Sequence, residues 1–417
     1  MAEAGLAWGG VLPASPPPDP EAVELLQAVV ERFPDDCAER AQALVRQAEW
    51  LHRDATYDER RVLVEEAVAI AERLDDPGVL GRVWSSAMSA MYGPDQYRVA
   101  PAVADRIIGL ARQADDDELA FEGWKLLLRG LFASGRMEDT REAAATVRRL
   151  GEHLRQPEYL RIAVMWDAIV ACLEGRFDDA RDRIDDALTI TLTGDHSQVA
   201  EIQLMLRVPR FGLKGTSPGV RSMLDAVGVE GVRGFRAWFH AEAGDVELAR
   251  PLLETPRLIE QMAERRWYLF WGEAVGYGTA MALLGDIERA GQLRDLIEPF
   301  RDGNAVLGLA AFLGAVAHHR GVLSGVVGEW DDAVVDLEWG LERHQAMRAR
   351  PWVALSQIEL ARVLEARAAP GDRARAAELT ASAVAVADEL GLASVHTRVG
   401  RPIAHAPVWG EPADSSG

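Results

Sequence analysis

Apolar residues recur at intervals of three and four along almost the whole chain, and alternation of apolar and polar positions is nearly absent. That spacing places apolar side chains along one face of a helix, so it predicts helix after helix. The first helix is expected near Pro20, because Asp19 suits the N-cap position and proline suits the first helical position. The pattern predicts an all-α chain in which the ordered region covers residues 21–395.

Similar short sequences recur at the turns between these predicted helices. Two of these turns lie near Ala55 and Asp95. The other six begin with a glycine: GRMEDTREAAATV at Gly135, GRFDDARDRIDDAL at Gly175, GDVELARPLL at Gly244, GDIERAGQL at Gly285, GEWDDAVVDL at Gly328 and GDRARAAEL at Gly371. Most spacings are close to 40 residues, and one gap of 69 residues holds SQVAEIQLMLRVPRF, which reads as part of a further helix pair. Stacked helix pairs bury one another's apolar faces. The repeat predicts a tetratricopeptide-like right-handed superhelix (an α-solenoid) of about eight to nine helix pairs.

The two ends of the chain differ from the repeats. Residues 1–20 contain PASPPPDP, and proline at that density predicts a disordered lead without helix. Residues 396–417 read as an irregular tail. The apolar run from Ala305 to Ala317 is shorter than the roughly 20 residues that span a bilayer. It is expected to form a core helix rich in glycine and alanine.

Composition narrows the classes of partner. The 417 residues are 48% apolar, which excludes general disorder, and 45 Lys and Arg against 66 Asp and Glu give a net charge of −21. Such a charge repels phosphate backbones, so direct nucleic-acid binding is not expected. Cys37 and Cys172 form no CxxC motif, and MAEAGLAWGG lacks the basic residues of a secretory leader. A cytoplasmic location without membrane contact is expected.

Two motifs suggest chemistry, and both have a simpler structural interpretation. The DDARD sequence from Asp178 to Asp182 matches a DDxxD magnesium motif, but acidic residues are also usual at the start of a helix. His318 and His319 are adjacent, so their side chains point about 100° apart on a helix and do not readily share one metal ion. No HExxH sequence is present. No catalytic residue, metal or cofactor is therefore predicted.

Candidate binding residues come from the face that the first helix of each pair would turn toward a concave groove. Counting back from the turns selects such inward positions, and among them are Glu49, His52, Tyr92, Lys125, Arg129, Phe132, Trp238 and His318.

Two features of this region suggest a ligand. Lys125 and Arg129 lie one turn apart and could anchor a carboxylate or phosphate, although a solvated charged face explains them equally well. Trp267 and Trp271 belong to WYLFW, which presents aromatic rings on more than one helical face. Those rings could stack on a ligand or a peptide, or they could belong to the core.

A more specific pattern extends from Asn304 to Leu392. It contains VAHHRGVLSGVVGEWDDAVVDLEWGLERH, MRARPWVALSQIELARVL and GDRARAAELTASAVAVADELG. These runs resemble the C-terminal tetratricopeptide-like repeat region of actinobacterial ATPase-coupled transcriptional regulators of the LuxR and SARP types, and of adenylate cyclase-like ATPases. The chain contains neither GxxxxGKS nor GxxxxGKT, and its tail does not read as a helix-turn-helix. The ATPase and DNA-binding roles are therefore not carried over.

Architecture and resemblance together favour a non-enzymatic binding scaffold or sensor module in a regulatory circuit. Its concave groove would take a protein or peptide partner, or a small effector, and a homo-oligomer is left open. The alternative is an enzyme or ligand-binding protein of secondary metabolism with an enclosed aromatic pocket near Trp238, Trp271 and His318. A deep pocket with converging polar groups would favour the alternative, and an open groove would favour the scaffold.

Overall fold

The computed structural model describes residues 20–51, 55–190, 208, 210, 233–308 and 311–403. Within these ranges the chain forms nineteen α-helices, one short 3-10 helix and one two-stranded hairpin. The predicted all-helical class is confirmed. The helices before the long gap are α1 Pro20–Arg32, α2 Ala38–Trp50, α3 Tyr57–Leu74, α4 Pro77–Ala90, α5 Gln96–Ala114, α6 Asp117–Ala133, α7 Met137–Leu154, α8 Pro157–Glu174 and α9 Phe177–Ile190.

After the gap, the chain continues with helices and one hairpin. The helices are α10 Arg233–Ala243, α11 Val246–Leu253, α12 Leu258–Arg265, α13 Phe270–Leu284, α14 Ile287–Ile297, α15 Val316–Val327, α16 Trp330–Ala346, α17 Arg350–Arg367, α18 Asp372–Leu390 and α19 Ala393–His396. The 3-10 helix is Glu298–Phe300, and the strands are β1 Asn304–Leu307 and β2 Ala311–Ala315.

The turns between helices lie where the sequence places them. The glycines that open the predicted repeats all have a positive φ angle in these turns, a conformation that glycine adopts without steric cost. They are Gly135, Gly175, Gly244, Gly285, Gly328 and Gly371. The SQVAEIQLMLRVPRF sequence in the longer gap lies outside the described residues, apart from Val208 and Arg210.

Consecutive helices pack against each other, and the later helices also contact the earlier ones. Helix α17 contacts α8, and α12 contacts α3. The fully buried Arg60 on α3 donates to the carbonyl of Arg265 at 2.6 Å, and Arg343 on α16 donates to the carbonyl of Ser134 at 2.6 Å. One apolar cluster extends from Phe121 to Val395. The two halves of the described chain therefore share a core.

The apolar run that was expected to be a core helix is a β-hairpin, so that prediction is wrong up to Ala315. Strands β1 and β2 are antiparallel, with Val306 opposite Phe312, and the next helix begins only at Val316. Every residue of both strands is buried, because α6, α8, α13, α15 and α16 surround the hairpin. A run buried on all sides has no polar face, so its period cannot distinguish a strand from a helix.

The polar backbone of this hairpin is paired by side chains at its edges. The Ala315 N–H donates to Nε2 of His344 at 2.8 Å, and the Leu313 carbonyl accepts from Nε2 of His319 at 2.6 Å. Tyr92 donates its hydroxyl proton to the Gly308 carbonyl at 3.0 Å. Because buried backbone groups must find partners, these side chains permit a sheet edge to lie in the core.

The chain ends are only partly described. Helix α1 begins at Pro20, as expected, and the proline-rich residues before it lie outside the described residues. Residues 397–403 of the expected tail form turns and a short irregular segment that packs on α17, where Nε of Arg362 donates to the Arg401 carbonyl at 2.8 Å. In the described part of the chain, no helix has the length and apolar character needed to cross a membrane.

Replacement of Gly314 by alanine should destabilise the protein strongly. Gly314 has a φ of +103°, and a Cβ atom there would lie 2.5 Å from the Trp352 ring. Gly328→Ala is the matched control, because Gly328 has a φ of +91° and open space around it. We expect losses of about 3 kcal/mol or more for Gly314→Ala and about 1 kcal/mol for Gly328→Ala in urea unfolding. Equal losses would show that the Trp352 contact has no energetic effect.

Candidate functional site

A cavity of about 490 Å³ lies between α10, α13, α15, α17 and the C-terminal segment 393–403. Its walls are mainly apolar and include one tryptophan from α10 and one from α17. A smaller set of polar and charged side chains also faces it. The apolar wall includes Trp238, Val275, Leu323, Val326, Trp352 and Leu355, and the polar lining includes Glu242, His318, His319, Glu359, Arg362 and Arg398.

Small residues bring α10 close to α13 on one side of this cavity. A Cβ atom on Gly276 would lie 2.3 Å from the backbone of Gly234, so the two helices touch backbone to backbone. Nearly every face of helix α13 carries apolar residues, so the helix can be buried on several sides. This close approach carries Trp238, one turn beyond Gly234 on α10, to the cavity wall.

Trp352 on α17 packs among three histidines. Its ring centroid lies 5.6 Å from that of His318, 5.9 Å from that of His319 and 5.6 Å from that of His344. The histidines come from α15 and α16, and His318 and His319 line the cavity together with Trp352. Aromatic packing therefore fixes the position of all three imidazoles.

A hydrogen-bonded series joins the hairpin to the cavity. The Ala315 N–H bonds Nε2 of His344, and Nδ1 of His344 lies 2.9 Å from Oγ of Ser356. The same Oγ lies 2.9 Å from Nδ1 of His318, which lines the cavity. Ser356 and His344 are completely buried, so neither contacts solvent. The series therefore holds the His318 ring in position. The Ser356 hydroxyl group itself is not exposed to the cavity.

Burial keeps these imidazoles uncharged. Desolvation lowers the pKa of His344 to about 3 and that of His319 to about 4. It also holds the pKa of His318 well below its usual value, and the neighbouring histidines and Arg398 lower it further. Burial disfavours the charged form of a base. All three side chains are therefore neutral near pH 7.

Charged side chains lie where the C-terminal segment meets α17. The Glu359 carboxylate is nearly buried and pairs with Arg362 at 2.5 Å and with Arg398 at 2.9 Å. Arg362 also donates to the carbonyls of Arg401 and Pro402, at 2.8 and 3.1 Å. These bonds hold the segment against α17, so it forms one wall of the cavity.

Of the predicted binding residues, Trp238 and His318 are brought together at this cavity. Four others lie around the hairpin or near it, and all are buried. Arg129 lies 4.7 Å from the ring centre of Tyr92, Phe132 lies 5.8 Å from Phe312, and Trp271 packs on Phe300. The structure places Tyr92, Arg129, Phe132 and Trp271 in the core, so they do not form an open binding face.

The remaining predicted residues are separate from the cavity. Glu49 is buried and pairs with Arg46 at 2.8 Å, and burial raises the pKa of its carboxyl. Lys125 pairs with Glu122 of its own helix at 2.6 Å. His52 lies outside the described residues.

Trp267 is used to satisfy a buried acid. Its Nε1 donates to the Glu273 carboxylate at 2.8 Å, and burial raises the pKa of Glu273 to about 7. Both side chains are more than nine-tenths buried. The ring of Trp267 therefore has no accessible face on which a ligand could stack, as was predicted for it.

The DDARD sequence from Asp178 to Asp182 lies at the start of helix α9. Asp178 lies in the first turn of α9, is highly exposed and pairs with Arg181 at 3.1 Å. Over the described ranges, no group of three or more His, Cys, Asp or Glu side chains could hold a metal ion.

Six residues at this site were not predicted from the sequence. Four of them line the cavity, namely Trp352, Glu359, Arg362 and Arg398. The other two, Ser356 and His344, lie behind His318 in the hydrogen-bonded series. A signal was present in LSQIEL of α17, where Ser356, Gln357 and Glu359 interrupt an apolar helix. All three are buried in the structure. Polar residues in a helix that is covered on every side require partners, and this requirement marks them as candidates.

No family model matches this chain, and no curated protein matches it either.

The neutral histidines predict a loss of stability in acid. The pKa of His344 is lower in the fold than in the unfolded chain, so between pH 6.5 and about 3 the unfolded chain binds one more proton. The stability that the neutral His344 contributes is therefore fully present above the unfolded-state pKa near 6.5, and it is lost as the pH falls toward the folded-state pKa of about 3. In a His344→Gln variant, the pH dependence of the free energy of unfolding between pH 6 and 4 should be shallower by about 1.4 kcal/mol per pH unit. Urea unfolding at several pH values measures it, and identical slopes would contradict a neutral His344.

Proposed function

We propose that this chain is a tetratricopeptide-like repeat protein, a right-handed superhelix of about eight to nine helix pairs, that binds a small, largely apolar molecule. The binding site is the cavity around Trp238 and His318, which supports the small-ligand alternative over an open peptide groove. The further role as a sensor module in a regulatory circuit rests on the resemblance to repeat regions of transcriptional regulators. The observation that carries this proposal is a cavity of about 490 Å³ with apolar walls and a few convergent polar groups. Small-molecule sites typically have volumes of roughly 300–1,000 Å³ and this kind of lining.

Two other hollows in the described part of the chain fit a ligand less well. One, near Asp115 and Asp116, has a volume of about 680 Å³, but it is shallow and lined mainly by acidic side chains. The other, near Tyr92 and Asn304, measures about 20 Å³, which suits a single water molecule. The cavity at Trp238 combines size with apolar walls, so it is the site on which we base the function.

The arrangement also suggests how binding could be reported. The cavity is bounded by helices and by the C-terminal segment, which Arg362 and Arg398 hold in place. A ligand that fills the cavity stabilises this closed arrangement by mass action. We propose that a protein or peptide partner then recognises the stabilised form, in keeping with the resemblance to repeat regions of transcriptional regulators.

The net charge of the chain bears on its partners. We propose a cytoplasmic protein that does not bind nucleic acid directly, because its net charge of −21 repels phosphate backbones. No membrane contact forms part of the proposal, and self-association is left open.

The cavity should take up an uncharged apolar dye, and filling it should prevent that binding. N-phenyl-1-naphthylamine should fluoresce more strongly with the wild-type protein. Ala282→Trp places an indole in the cavity, because Ala282 lines it, and should weaken dye binding at least about tenfold by removing the apolar volume. Ala385→Trp is the matched control, because Ala385 is exposed on α18. Equal dye binding by the two variants would place the dye elsewhere.

The natural ligand can be sought directly. Native mass spectrometry of the protein from its own host should show a bound small molecule that leaves only on denaturation. The Ala282→Trp variant from the same host should lack it. If the wild-type protein carries no ligand and takes up no dye, the proposed cavity function is wrong.

A further inference from the structure

The position of one proton in the histidine cluster is fixed by a backbone donor. The Ala315 N–H can only donate, and it points to Nε2 of His344 at 2.8 Å. Nε2 of His344 must therefore be an acceptor, and the single proton of the neutral ring lies on Nδ1. Nδ1 of His344 lies 2.9 Å from Oγ of Ser356, so it donates to that hydroxyl oxygen.

The next proton position follows from the Ser356 hydroxyl. Its oxygen already accepts from His344, and its own proton needs an acceptor, since Ser356 is completely buried. Within the described residues, the further partner of Oγ is Nδ1 of His318 at 2.9 Å. Ser356 therefore donates to Nδ1 of His318. The opposite assignment would leave a buried hydroxyl proton without an acceptor.

This places the proton of His318 on Nε2. His318 lines the cavity, and only 6% of its surface is exposed. Among the described residues, the Nε2 atom of His318 has no hydrogen-bond partner. This atom is also not among the unpaired polar atoms that are fully inaccessible to solvent. A nearly buried N–H group therefore points toward open space in the cavity. Such a donor is unfavourable unless something in the cavity accepts its proton.

We propose that the cavity selects ligands that carry an oxygen acceptor, such as a ketone, ester or carboxylate oxygen, and that Nε2–H of His318 donates to it. This inference rests on the proposed binding function and specifies its chemistry. Ser356 and His344 are positioning residues, because they hold His318 in the tautomer that donates. The ligand is thus an apolar molecule with a carbonyl-type group placed at the histidine side of the cavity.

The surrounding charges are compatible with a neutral or an anionic acceptor. Arg362 and Arg398 share one carboxylate, Glu359, and Arg401 also lines the cavity. Glu242 faces the cavity from α10. Three cationic and two acidic side chains therefore surround the space. The matched probes below distinguish a ketone from a carboxylate.

The binding test uses propylbenzene, propiophenone and 3-phenylpropanoate, which share a phenyl ring and a short chain. Binding to the wild-type protein and to His318→Phe is measured by isothermal titration calorimetry. Phenylalanine keeps a ring in place but removes the donor. The variant should bind propiophenone about tenfold more weakly and propylbenzene within twofold of the wild-type protein, because only the ketone loses a hydrogen bond. Comparing each ligand across variants cancels the difference in hydrophobicity between ligands.

His153→Phe is the matched control variant. It makes the same substitution away from the cavity, because His153 is exposed on α7 and its Nε2 lies 3.2 Å from the Asp117 carboxylate. This variant should not change the propiophenone to propylbenzene ratio. A larger effect of His318→Phe on 3-phenylpropanoate than on propiophenone would assign the ligand as a carboxylate, and the reverse would assign a neutral carbonyl group.

The outcomes separate this inference from the proposed function. If all three probes bind and His318→Phe affects propylbenzene and propiophenone equally, the donor role is wrong and the binding cavity stands. If none of the probes binds, and N-phenyl-1-naphthylamine does not bind either, the cavity function itself fails.

A spectroscopic measurement tests the tautomer without any ligand. Long-range ¹H–¹⁵N correlation spectra of the wild-type protein should show His318 with its proton on Nε2 and His344 with its proton on Nδ1. In Ser356→Ala, His318 should lose this preference and populate both tautomers, and propiophenone binding should weaken by about twofold to fivefold. Ser356→Thr, which keeps the hydroxyl group, should restore the Nε2–H form. A wild-type His318 protonated on Nδ1 would overturn the proposal.

Discussion

The buried edge of the β-hairpin is the constraint on which the centre of this protein depends. A two-stranded sheet always has unpaired backbone groups at its edges, and such groups normally face water. Here both strands are fully buried among helices, so side chains must supply the missing partners. His344, His319 and Tyr92 do so from three different helices or turns. The hairpin and these side chains therefore require each other.

The same constraint extends to the cavity. Because the Ala315 N–H fixes the proton of His344, it also determines how Ser356 is bonded and which nitrogen of His318 remains available. Burial lowers the pKa values of the three histidines, so the network stays neutral and its donor and acceptor roles do not change near pH 7. A backbone requirement in the core thus determines the polar character of one wall of the cavity.

The hairpin also changes the shape that helical repeats alone would suggest. Instead of an open groove, helices of both halves meet around it, with bonds such as Asn304 Nδ2 to the Phe132 carbonyl at 2.9 Å and Tyr97 to Asp302 at 2.5 Å. Aromatic and cationic residues that would have faced a groove become part of the core. The space that remains lies to one side, between α10, α13, α15, α17 and the C-terminal segment. The cavity that remains measures about 490 Å³, which is the volume on which the proposed small-ligand function rests.

The sequence by itself determined the helical class and the positions of the turns that open with a glycine, because apolar spacing and turn glycines act locally, as at Gly135 and Gly371. It also identified Trp238 and His318, whose helix positions could be counted from those turns. The hairpin could not be predicted, because a run buried on all sides has no periodic polar face. Nor could the cavity, since Ser356, His344 and Arg398 become neighbours of His318 only through packing between helices distant in the chain. Which polar residue meets which is a property of that tertiary packing, and local sequence does not contain it.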